Sequence, residues 1–167
     1  IEPLIEAVSE FAGLAAEKLR QQDGHAGQVL VFAHTSPYRP GPRFHRSVIV
    51  PLRRPTADTP ALVRAAVAGL HQIFESGYDL IKAGVMLLDL TPAGRVQHEL
   101  PLEDDAPDTG RARLMKAVDA LNGRYGRGTV HAASTGRNDD TRAWRMRQER
   151  RTPNYTTSWR EVPVARA

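Results

Sequence analysis

The 167-residue sequence contains no cysteine, which excludes disulfide frameworks and thiolate metal sites and makes a reducing cytoplasm the expected location. It also lacks an apolar run of the roughly 18 residues that a membrane helix requires. The N-terminal stretch IEPLIEAVSEFAGLAAEKLR places acids where a secretory signal carries bases, so neither export by such a signal nor a membrane span is expected. Internal repeats and low-complexity tracts are missing as well.

Several kinds of chemistry are absent in the same way. No G-x-S-x-G elbow is present, and the serines fall at caps and turns, which argues against a nucleophilic hydrolase. The six histidines form no H-E-x-x-H pair or similar ligand spacing. The run GRYGRG at 123–128 has neither the Walker lysine arrangement nor a preceding strand. Carboxylates that could hold two metal ions at strand ends are Asp89, the pair Asp104 and Asp105, and the pair Asp139 and Asp140. Each reads more simply as a strand boundary, a solvated loop charge or a cap. No catalytic residue, no metal ligand and no cofactor is therefore expected within this chain.

What is present suits one folded domain or a domain with a small appendage: 41% hydrophobic and 25% charged residues, with a net charge of +4 that favours a polyanionic partner. Residues 4–21 carry Leu4, Ile5, Val8, Phe11, Leu14, Ala15 and Leu19 at helical spacing. QVLVFAH at 28–34 and SVIVPL at 47–52 read as strands, the second with Pro51 near its end or at an edge. A second helix is expected from Thr59 as N-cap and Pro60 at its first position, with Gly77 ending it. LIKAGVMLLDL at 80–90 reads as a buried strand. A third helix should start at Thr109, align Leu114, Met115, Val118 and Leu121, and stop at Gly123; a short strand is expected at 129–133. Trp144 and Trp159 are expected to form the small core of the appendage.

The order helix, strand, strand, helix, strand is a split βαβ pattern, βαββαβ, without its first strand. In a ferredoxin-like sheet that strand would be central, so a gap is expected there, filled by another segment or a second copy.

The stretches AAEKLR at 15–20, TSPY at 35–38, PTADT at 55–59 and GYDLIKAGVMLLDLTP at 77–92 resemble the little-finger domain of UmuC-type Y-family DNA polymerases, the family of the catalytic subunit of DNA polymerase V. LMKAVDALNGRYGRGTV, followed by WRMRQERRTPNYTTSWREVPVA, is similar to the C-terminal domain peculiar to that subfamily. The resemblance implies an α+β, ferredoxin-like little finger at 1–92, a linker at 93–108 and a small α/β C-terminal domain at 109–167. It implies a fragment of a translesion polymerase used in SOS mutagenesis and DNA repair, associated with the nucleoid. The metal-binding palm of the parent, with its Mg2+, would precede this chain.

Two binding sites follow. Around the first strand turn, Tyr38, Arg39, Arg43, His45 and Arg46 cluster, with Lys82 at the start of the last strand, and such bases neutralise phosphates without reading sequence. With the little-finger resemblance, the candidate DNA-binding residues are Thr35, Ser36, Arg39, Arg43, Arg46 and Lys82. In the linker, Gln97, Leu100, Pro101 and Leu102 match the sliding-clamp peptide of the family, Q-x-x-L-P-L, with His98 where that pattern usually has leucine. Seating two leucines in a partner's pocket is worth about 1.5 to 3 kcal/mol each, which implies roughly micromolar affinity. The family implies the processed UmuD dimer and the RecA filament as further partners. The alternatives are a stand-alone split βαβ module that binds a small ligand or a protein, and a small enzyme of acylphosphatase type, which would need a phosphate loop between a first strand and the first helix.

Overall fold

The computed structural model describes residues 1–94, 109–136, 144 and 152–162. The chain folds as an α+β protein whose first five elements follow the expected order and are compatible with a split βαβ, ferredoxin-like little finger. Helix α1 spans Glu2–Gln21, strand β1 Gly24–Thr35, strand β2 His45–Thr56, helix α2 Thr59–Ile73 and strand β3 Leu80–Pro92. Helix α3, Thr109–Tyr125, follows.

The three strands form one antiparallel sheet in the order β2-β1-β3. This corrects the expected central gap: the middle place belongs to β1, which pairs with β2 on one flank and with β3 along nearly its whole length on the other. Helices α1 and α2 pack on each other and cover one face of the sheet. Period-two alternation supplies the strand side of that core, since Val29, Val31 and Ala33 point inward from β1 and are buried. Val8, Ala12, Ala16 and Leu19 supply the α1 side, and Leu62, Ala66, Leu70 and Ile73 the α2 side.

Helix α1 buries more than one stripe. Besides its sheet-facing residues, Phe11 meets Trp144 edge-on, with ring centroids 5.7 Å apart, and the Trp144 Nε1–H donates to Glu6 Oε2 at 3.1 Å. Trp144 thus packs against α1, while Trp159 is 94% exposed, so the expected two-tryptophan core does not form.

Other expectations change by a residue or a face. The N-cap of α2 is Asp58, whose Oδ2 accepts from the Ala61 N–H at 3.0 Å; Thr59 lies inside the first turn. The helix stops at Ile73, and Gly77 sits in the turn beyond it. Strand β3 has no buried residue, because it lies at the edge of the sheet as well as having one face without a helix, and Met86 and Leu90 are 53% and 58% exposed. In α3 only Met115 of the expected stripe is buried, while Leu114 and Leu121 face solvent. Its end is marked by Gly126 at φ +105°, a conformation that favours glycine, and Gly123 is still helical. Residues 129–133 form no strand: the Asn122 side chain bonds both the N–H and the C=O of Val130, and the chain then enters a short 3-10 turn at Ala133–Thr135 against α1.

Candidate nucleic-acid interface

One face of the sheet carries no helix. Strand alternation and register decide what it presents. On β1 the outward residues are Gln28, Leu30, Phe32 and His34; opposite them on β2 stand Pro51, Ile49, Ser47 and His45, and on β3 Leu88, Met86, Gly84 and Lys82. Cross-strand partners share a face, so the surface has two zones. Its middle is apolar. At the end nearest the β1–β2 turn, Lys82, His34 and His45 form one row across the three strands.

Aromatic rings organise that end. Phe32 and His34 stack with centroids 6.2 Å apart and planes 14° apart, and His34 and His45 stack at 5.9 Å and 27°. Gly84 makes room for the row, since a Cβ there would fall 2.5 Å from Phe32 Cζ. His34 Nδ1 lies 3.1 Å from the Thr35 carbonyl oxygen, which can only accept, so this nitrogen carries the proton.

The candidate residues read from the sequence separate into four groups. Lys82 is exposed on the open face. Arg39 and Arg43 are exposed in the turn, where Arg39 makes a 3.2 Å ion pair with the equally exposed Asp79 and Tyr38 is 94% exposed. Thr35 and Ser36 hold the turn together: the Thr35 hydroxyl accepts the Phe44 N–H at 3.0 Å, and Ser36 Oγ accepts the Tyr38 N–H at 3.2 Å. Arg46 is on the other side. It pairs in register with the inward Ala33, lies over the Phe44 ring and bonds Glu75 at 2.7 Å beyond the end of α2.

Sequence reasoning placed His45 in the basic cluster but gave it no role, and missed His34. The signal was available in the two-residue period, which sets His45 and Ser47 on one face and Arg46 on the other. The clamp-peptide residues Gln97, Leu100, Pro101 and Leu102, and the acids Asp104, Asp105, Asp139 and Asp140, lie outside the described residues. Asp89 is inside β3 and not at its boundary, at φ +52° beside Gly27. Among the described residues no three His, Asp or Glu side chains converge as a metal site, and no helix is long and apolar enough to cross a membrane.

A second polar centre joins the two halves of the molecule. The Arg20 guanidinium donates from Nε and Nη2 to the two Asp119 oxygens at 2.7 and 2.6 Å, and from Nη1 to the Ala57 carbonyl and Thr59 Oγ1 at 2.7 and 2.9 Å. Arg111 adds a 3.1 Å ion pair to the cap residue Asp58. Beside these links a half-open pocket of about 330 Å³ lies between α1 and α3, lined by Leu14, Pro60, Met115, Val118 and Val130 among others.

The impB/mucB/samB family C-terminal domain matches residues 1–100, and a domain of unknown function, DUF4113, matches residues 112–165. The chain is 37% identical over 162 residues to Protein ImpB and 36% identical over 162 residues to Protein UmuC, both of Salmonella typhimurium, covering 96% of this chain and 37% of each relative. Protein SamB of the same organism is 34% identical over 166 residues, 99% of this chain and 38% of the relative. The chain thus spans little more than a third of the length of these relatives.

Proposed function

The chain belongs to the impB/mucB/samB C-terminal domain family, as the C-terminal region of a UmuC-type protein, and from that premise we propose that it is the non-catalytic DNA- and clamp-binding part of an error-prone translesion DNA polymerase acting in SOS mutagenesis and DNA repair. The observation that carries this reading is the extent of the likeness, 96% of the chain at 37% identity. The open sheet face and its adjoining turn support it physically. Lys82, Arg39 and Arg43 are exposed and close to one end of that face, as a phosphate grip without base reading requires.

A duplex-binding assay over a salt series tests the DNA part. Affinity should fall steeply with salt and depend little on sequence, and Lys82→Glu or Arg43→Glu should lower both affinity and the salt slope, by about one contact each. Salt-independent binding would count against the reading. For the clamp, a Gln97→Ala/Leu100→Ala/Leu102→Ala variant should lose binding to the sliding clamp while its melting temperature stays put. Contacts with the processed UmuD dimer and the RecA filament belong to the same proposal, as does catalysis, with its Mg2+, elsewhere in the parent polypeptide.

A further inference from the structure

Resting on the DNA-binding reading above, we propose that the outer face of the sheet holds a proton-linked phosphate site formed by His34, His45 and Lys82, so that the grip on DNA tightens as pH falls. The three residues stand side by side on neighbouring strands, His34 in the middle, with His45 and Lys82 exposed on either side. The two imidazoles stack on each other, which turns their edges, and hence their nitrogens, away from the ring contact.

The backbone sets the tautomer of the central ring. Because His34 Nδ1–H donates to the Thr35 carbonyl, the second nitrogen of the neutral ring is an acceptor and can offer a phosphate only a lone pair. One proton converts that nitrogen into an N–H donor and adds a positive charge, and imidazole is the side chain that ordinarily makes this change between about pH 5 and pH 8. A phosphate bridging Lys82 and the two rings would stabilise the protonated state, so proton uptake and DNA binding are linked. The charged groups around the rings are few. Lys82 faces His34 from β3, Phe32 flanks it on β1, Arg43 is exposed in the turn two residues before His45, and Arg46 with Glu75 belongs to the opposite face. The exposed Arg39–Asp79 pair sits at the adjoining turn and adds no net charge there.

The test measures binding of a short random-sequence duplex to the full chain, at matched ionic strength, from about pH 8 to about pH 6. The chain should gain about fivefold in affinity over this range, and its salt slope should steepen by about one for each added contact. A His34→Gln/His45→Gln variant should lose that gain. His71→Gln, which alters an exposed histidine on α2, should keep it. Persistence of the full gain in the double variant, with DNA still bound, overturns the proton-linked site and leaves the DNA-binding reading standing. No binding of the duplex at any pH overturns both. Should the double variant fail to fold, the ring resonances of the unaltered chain decide: the duplex should move those of His34 and His45 at about pH 6, and unmoved resonances refute the site.

Discussion

The two halves of the molecule are held together by different physics. The principal core cluster lies wholly between Val8 and Ile73, whereas in the second half, among the described residues, only Met115 and Thr135 are buried. The first half is a sheet with helices packed directly on it. The second is a helix and a turn segment tied to α1 and α2 by ion pairs and hydrogen bonds around a half-open pocket. A region with its own apolar core can be stable by itself. One that borrows its order from a neighbour should come loose before that neighbour melts.

The largest effect that tests this contrast is expected in the core. Leu70 on α2 is fully buried, so Leu70→Ala removes apolar area and leaves a cavity, costing about 2 to 5 kcal/mol. Leu121→Ala on the exposed side of α3 should change stability by less than about 0.5 kcal/mol. Denaturant titration of the two variants checks both numbers, and equal costs would contradict the asymmetry.

A smaller and more local effect is expected at the joint. Arg20→Ala removes a bidentate partner from Asp119 and two further hydrogen bonds, each tying α1 to another element. The loss is worth about 1 to 3 kcal/mol, because Asp119 is left half-buried without its cation. Hydrogen exchange should show the amides of α3 losing protection while those of β1 keep theirs. Arg20→Lys should rescue little, since an ammonium cannot reproduce the planar fork. Loss of protection in β1 to the same degree would mean that the halves fold as one unit.

The same asymmetry explains how much was legible in the sequence. Elements whose residues face their own core are legible locally, α1 by its apolar stripe and β1 by its β-branched and aromatic run. Where tertiary context decides, local pattern misled. The apolar run at 80–90 looks buried, yet β3 lies at an edge with one face uncovered. The α3 stripe reads as a core face, but of its four residues only Met115 is buried. Thr59 is a good cap by type, and Asp58 takes the role one residue earlier while the Thr59 hydroxyl accepts from Arg20. The strand order could not be read at all, because β1 flanked by β2 and β3 and a sheet with an empty middle share one linear order of elements. At the candidate site, counting basic residues found the turn and Lys82 but grouped Arg46 with them across the sheet.

The smallest effect belongs to the C-terminal turn, which has no core to mask it. The Glu161 carboxylate accepts the Asn154 N–H at 2.6 Å and the Asn154 side-chain amide at 3.3 Å. The backbone hydrogen bond, then the Asn154 side chain, holds its pKa below the ordinary glutamate value, with a lesser lowering from Ser158. A carboxyl group lowered in the folded state contributes stability that is present above its unfolded pKa and is lost as pH falls through the folded one. Acidification below about pH 4 should therefore loosen residues 152–162 while the sheet is undisturbed. Following the Glu161 carboxyl and the Asn154 amide by NMR tests this, with Glu161→Gln expected to remove the pH dependence of the turn. The group is fully exposed, so the transition should be confined to the turn and weakened by salt; a titration at or above the ordinary glutamate value would show that the two hydrogen bonds do not hold it.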